Sequence, residues 1–189
     1  MTADGQHIPS AATVVAVSSD GDHRFSKVPV PSIVLVEGFG VEGDAHGGST
    51  VQHRSRVARD PSQPNLRQVH LMPAEFLDVA RDHGFDVGAG DLGENILTRA
   101  IDLAGLGRDT LLHLGPGAVV RVTGLRNPCV QIDAFRPGLL ALAVRRAASG
   151  GIVRAAGVMS VVVRGGVGRE ADTIVAERPP AGHVPLEVV

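Results

Sequence analysis

Apolar residues fall into short runs rich in β-branched side chains along most of this chain, with few stretches of helical period. Ala11 to Val17 forms one such run and Ile33 to Val36 another, the second introduced by the turn-forming Val28-Pro29-Val30-Pro31. Gln68 to Leu71 predicts a short strand leading into the clearest helix. Pro73 stands at that helix's first turn, where its missing N–H costs little. Met72, Phe76, Val79 and Ala80 follow helical spacing opposite Glu75, Asp78, Arg81 and Asp82, and Gly84 supplies the stop. Further strands are predicted over 95–98, 110–113, 118–124, 157–164 and 172–176, with a Gly-rich turn before the last. A second helix, apolar almost all round, is expected over 138–148, and 184–188 adds an edge strand.

Strands do not alternate regularly with helices, which argues against a parallel βαβ sheet. Many short strands with glycine corners predict a mainly β fold, a barrel or curled sheet with a few short helices. A single domain over 11–180 with extensions at 1–10 and 181–189 accounts for the chain. Residues 38–65 form a long structured loop, the kind that tends to carry function in a compact domain. Within it, Gly38-Phe39-Gly40-Val41-Glu42-Gly43 matches the dinucleotide pattern Gly-x-Gly-x-x-Gly. Asp44-Ala45-His46-Gly47-Gly48 follows and cannot open the helix that would hold a pyrophosphate, so the match is rejected.

Composition narrows the function. The chain of 189 residues carries 18 basic and 20 acidic residues, a net charge of −2 that gives no global field for nucleic acid or an anionic membrane. Aromatics are 3%, with neither Trp nor Tyr, so platforms for stacking bases are missing as well. One cysteine allows no internal disulfide, and the histidines show no zinc-ligand spacing. His70 and His113 read as ordinary strand histidines. The N-terminus lacks the pattern of a signal peptide, and no apolar run is long enough to span a bilayer, so a cytoplasmic location is expected.

Four segments hold candidate chemistry. In Gly43-Asp44-Ala45-His46-Gly47-Gly48 the glycines permit close backbone approach to a ligand, while Asp44 and His46 offer an acid and a neutral-pH proton carrier. The competing reading is a tight turn whose Asp caps its own backbone. Arg67 presents a planar fork suited to phosphate or carboxylate, or is a surface arginine beside a strand. Asp91, Glu94 and Asn95 form a polar knuckle that either orients a ligand or satisfies buried backbone groups. Cys129 follows the turn Arg126-Asn127-Pro128, where Arg126 and backbone N–H groups favour the thiolate. A buried cysteine acting as a small hydrophobe is the alternative there.

In order and spacing these segments resemble the MOSC family, named for the C-terminal domain of molybdenum cofactor sulfurases. The resemblance is carried by Gly40-Val41-Glu42-Gly43-Asp44-Ala45-His46, Arg67-Gln68-Val69-His70-Leu71, Gly90-Asp91-Leu92-Gly93-Glu94-Asn95-Ile96 and Val122-Thr123-Gly124-Leu125-Arg126-Asn127-Pro128-Cys129. It implies a curled, mostly antiparallel β-barrel that binds a molybdenum-pterin cofactor, or delivers sulfur through Cys129. Soft thiolate chemistry suits both roles, as a molybdenum ligand or as a persulfide carrier. On this resemblance Lys27, Arg67 and Arg126 neutralise a pterin phosphate, Asp44, Glu94 and Asn95 complete the cofactor site, and His46 shuttles a proton to substrate. An enzyme of this kind would reduce N-hydroxylated small molecules using an external electron-donor protein. A carrier would hand sulfur or cofactor to a partner enzyme. No aminotransferase-like sulfurase domain is present, so pyridoxal phosphate would belong to a partner. A barrel binding an unrelated anionic metabolite is the third reading.

Overall fold

The computed structural model describes residues 11–52, 54–146 and 150–189. The expected N-terminal extension and the end of the expected second helix lie outside the described residues. In chain order the elements are β1 (Thr13–Ser19), β2 (Val28–Val30), β3 (Ser32–Val36), β4 (Gly40–Val41), α1 (Arg54–Val57), β5 (Val69–Pro73), α2 (Ala74–Asp82) and β6 (Ile96–Arg99). They continue with β7 (Leu111–Leu114), β8 (Ala118–Leu125), α3 (Gln131–Phe135), α4 (Leu139–Ala143), β9 (Val144–Arg146), β10 (Ile152–Arg154), β11 (Val158–Arg164), β12 (Gly166–Arg169) and β13 (Ile174–Glu177).

An eight-stranded sheet in the order β13-β7-β8-β11-β5-β6-β1-β2 dominates, beside a three-stranded sheet β12-β3-β4 and the β9-β10 hairpin. The sheet is mixed, because β5 and β6 run parallel with α2 as their crossover. A fully antiparallel arrangement would have required a hairpin where the sequence instead places an amphipathic helix. Among the described residues the ladders do not close into a barrel. The edge regions meet only at the Thr13–Thr173 bridge and through nearby backbone bonds such as Val14 N–H to Asp172 O at 2.9 Å.

Two apolar layers share strand β5, which is buried on both faces. Val69 and Leu71 join the valine- and leucine-rich interior with Val120, Val122 and Val158, while Met72 joins Phe76, Leu77, Ala80 and Leu139 beneath the helices. In α2 the buried stripe is Ala74, Phe76, Leu77 and Ala80, so Val79, expected on that face, is 46% exposed. Met72 belongs to β5 because Pro73 occupies the N-cap with extended backbone. The expected second helix is correspondingly short. It spans α4 alone, and the chain then extends into β9, whose Arg145 and Arg146 are exposed as hairpin side chains. Val28–Val30, expected as a turn, pairs antiparallel with β1, and β12 occupies part of the expected Gly-rich turn. No helix opens after Gly38–Gly43, in keeping with the rejected nucleotide match.

Gly157 ties this frame to the loop that carries Cys129. Its φ is +86°. A Cβ there would overlap the Leu71 carbonyl and come within 2.9 Å of Met72 Cα. Its own carbonyl accepts the Arg126 N–H at 3.0 Å. Gly157→Ala is therefore expected to destabilise the fold by at least about 2 kcal/mol, combining left-handed strain with overpacking. Urea unfolding checks this, and a cost near zero would mean that the strands part easily here.

Candidate functional site

β5 and β11 pair so that Met159 lies opposite His70, which puts both side chains on one face. With Leu92 they floor a cleft of about 520 Å³. The rest of its lining comes from residues 23–27, His46, residues 92–95 and 126–131, with Arg56 and Arg67. Five cations (Arg24, Lys27, Arg56, Arg67 and Arg126) and three histidines (His23, His46 and His70) line it. Among the described residues no carboxylate does, although acidic residues outnumber basic ones in the chain. The cleft is thus an electropositive concavity in a weakly acidic protein.

The carboxylates that belong to the region stand behind its wall. Asp44 has a fully buried side chain and accepts from four groups at 3.3 Å or less: Lys27 Nζ at 2.5 Å, Asn95 Nδ2 at 2.9 Å, the His46 N–H at 2.9 Å and His46 Nδ1 at 3.3 Å. Burial alone would raise its carboxyl, but the His46 and Lys27 hydrogen bonds and the Lys27 charge outweigh that and hold it well below the usual carboxylate range. Burial draws Lys27 below its ordinary value, against the pull of Asp44. A carboxylate can only accept, so the contact puts the His46 proton on Nδ1 and leaves Nε2 for the cleft. His23 packs edge-on against the His46 ring at 5.6 Å.

Glu94 is also fully buried. Its Oε1 accepts the Gly90 N–H at 2.5 Å, whereas Oε2 has no partner among the described residues. Burial, only partly offset by the Gly90 hydrogen bond, pushes this acid up to about 7. Asn95 locks the knuckle to the sheet, since its Oδ1 accepts the His70 N–H at 3.1 Å and its Nδ2 reaches Ser18 O. His70 donates from Nε2 to the Ala156 carbonyl at 2.7 Å, and burial followed by the Arg126 charge holds it neutral.

Arg126 is 8% exposed, and its Nη1 has no hydrogen-bond partner among the described residues. A buried guanidinium with an unused donor, on a residue that lines a cleft, is able to take a further acceptor. Burial lowers it, and the charges of Cys129 and Glu94 act in the opposite sense. Arg67 is held at about 10 by burial and by repulsion from Arg56 and Arg126, with Cys129 again opposing. Cys129 is half-buried in the turn before α3, and its Sγ–H reaches Gln131 Oε1 at 3.3 Å.

Of the residues singled out from sequence, Cys129, His46, Lys27, Arg67, Asn95 and Arg126 line the cleft together, while Asp44 and Glu94 support it from behind. Sequence reasoning missed His23, Arg24, Phe25, Arg56 and Gln131. His70 is the strand histidine expected of it, and it also faces the cleft. The neighbourhood of Arg56 carried a signal, the arginine-rich stretch of the long loop. Nothing in the 23–25 segment did.

A family model described as MOSC domain matches residues 42–169. Among solved structures the fold is similar to the YuaD protein from Bacillus subtilis, at 22% identity and a TM-score of 0.70, covering 89% of this chain and 97% of that one. It is also similar to YiiM from Escherichia coli (17% identity, TM-score 0.58, covering 91% and 73%) and to YiiM from Geobacillus stearothermophilus (17%, 0.56, covering 93% and 77%). No curated protein matches significantly.

The buried acid makes a pH prediction. Glu94 sits at about 7 in the fold against an ordinary 4.5, so its contribution is complete below pH 4.5 and is lost as pH rises through 7. The loss amounts to up to about 3 kcal/mol. Glu94→Gln keeps the acceptor for Gly90 and cannot ionise. Its stability should not show this decline when unfolding is measured from pH 4.5 to pH 8. An identical decline in both proteins would place the effect elsewhere.

Proposed function

Because the chain belongs to the MOSC domain family, we propose that its electropositive cleft binds a molybdenum-pterin cofactor, with Cys129 as the protein's ligand to the metal. The single observation that carries this reading is Arg126, a cleft-lining residue whose buried Nη1 has no hydrogen-bond partner among the described residues. Among the described residues no cluster of three His, Cys, Asp or Glu could hold a metal ion. The donor set therefore suits a metal that arrives with its own sulfur ligands and needs from the chain one thiolate and several cations. Arg126, Arg67 and Lys27 would hold the phosphate and polar edge of such a group.

Bound molybdenum supplies oxygen-atom and electron transfer to and from a substrate. The chain's part is to present the Cys129 thiolate, to hold the anion by its arginines, and to move a proton. His46 is suited to that last task, because Asp44 fixes the proton on Nδ1 and leaves Nε2 to exchange one with a substrate atom. The reaction class is reduction of an N-hydroxylated small molecule, with electrons from a donor protein.

A second reading is favoured by the exposure of the turn. Cys129 is only half-buried and Val130 beside it is 76% exposed, so a partner enzyme could reach the sulfur. On that reading Cys129 carries a persulfide and the cleft holds no catalytic metal.

Protein purified from molybdate-supplied cells separates the two readings. The cofactor reading expects stoichiometric molybdenum and pterin, loss of the metal in Cys129→Ser, and at least about a tenfold weaker hold on the pterin in Arg126→Gln. A persulfide mass on Cys129 without metal supports the carrier. Wild-type protein with neither, or a Cys129→Ser variant with full metal, overturns the assignment of Cys129.

A further inference from the structure

Among the described residues, Arg67 is the one cleft arginine whose side chain is hydrogen-bonded to a remote part of the chain. Its backbone is fixed locally, where Asn65 Oδ1 accepts its N–H at 3.0 Å. Its guanidinium makes a single hydrogen bond among the described residues, from Nη1 to the Val189 main-chain oxygen at 2.9 Å. Val189 is held in turn. Leu125 N–H donates to Glu187 O at 2.7 Å, and Val189 N–H donates to Leu125 O at 3.3 Å. The same strand makes a parallel bridge between Leu125 and Val188.

The strand is shaped to receive this segment. Gly124 leaves its face bare, and a Cβ there would overlap the Glu187 carbonyl and lie 2.6 Å from Val189 Cγ1. Farther back, Arg108 N–H donates to Val184 O at 2.8 Å, so the segment is anchored at both ends. None of this serves the apolar core, whose main clusters take only Leu186 from this stretch, at their margin.

We infer that the Glu187–Val189 segment is a strap that positions the Arg67 guanidinium in the cleft. The inference rests on the cleft being an anion site. Arg56 and Arg126 line the same cleft and both repel Arg67, and that repulsion would drive a free guanidinium outward toward solvent. An acceptor held to the sheet through Leu125 restrains it against that repulsion. One of the five N–H donors is used and the others remain for an anion in the cleft. The strap is a positioning device, since it touches Arg67 and not the ligand.

Inorganic phosphate is a sufficient probe, because Cys129 is the chain's one cysteine and lines the same cleft. Phosphate is titrated against the rate of Cys129 alkylation by neutral iodoacetamide, and the midpoint of protection is read. Deleting residues 187–189 should raise that midpoint about fivefold to tenfold, the cost of a misplaced charged hydrogen-bond donor. In Arg67→Gln the same deletion should change nothing further. Val189→Ala and Glu187→Gln keep their main-chain oxygens and should leave the midpoint unchanged. Should the shortened chain fail to fold in a thermal melt, Val189→Pro, which lacks the N–H to Leu125, carries the same prediction. Protection by phosphate in the wild type, with no change on deletion or with a lower midpoint, overturns the strap alone. Absence of protection in the wild type overturns the strap and the anion cleft together.

Discussion

The buried Asp44 carboxylate is the contact on which the site depends. Besides holding His46 in its own glycine-flanked loop, it joins that loop to three other segments: the end of β1 through Asp20 N–H at 3.4 Å, the approach to β2 through Lys27, and the knuckle before β6 through Asn95. A carboxylate without water is costly to bury, and an unpartnered lysine is as costly. Each is tolerable only because the other is there. The pairing therefore fixes how the irregular walls at Lys27, His46 and Asn95 stand against the regular sheet.

That arrangement also sets the sign of the cleft. Asp44 and Glu94 lie behind the wall, each occupied with donors of the fold, and the lining keeps the cations. Net charge hides this, because the whole chain is slightly acidic. Segregation of charge across one layer of side chains, and not an excess of one sign, makes the cleft electropositive. Cys129 stands at its edge on a turn that Gly157 fastens to the sheet, so strand packing and thiol position are linked through one backbone hydrogen bond.

Much of the β framework was legible from sequence, because β-branched runs between glycines leave few alternatives. The strands around Ile96, Leu112, Val122 and Val161 lie within a residue or two of their expected bounds. The parallel β5–β6 pair was not legible, since strand direction depends on where α2 sends the chain. The short α4 was misjudged for a related reason. An apolar run such as Gly138–Ala148 has no period to separate helix from hairpin, and the turn into β9 is decided by packing. For the site, polar residues between glycines were a sound guide: Asp44, His46, Glu94, Asn95, Arg126 and Cys129 all fall in or behind one cleft. His23 and Phe25 could not be found that way, because they reach the cleft only through the fold of an otherwise ordinary loop. The tail of the chain was expected to form an edge strand. It makes one bridge there, and its contact with Arg67 could not be read from spacing.

The central claim is that the Lys27–Asp44 pair acts as a unit that organises the walls of the cleft. A double-mutant cycle in urea unfolding tests it most directly, using Lys27→Met, Asp44→Asn and the double variant. Each single change strands a buried polar or charged group and is expected to cost about 3 kcal/mol or more. The double variant should cost clearly less than the sum, with a coupling of at least about 2 kcal/mol. Additive costs, with coupling near zero, would contradict the account and leave the walls held by something else.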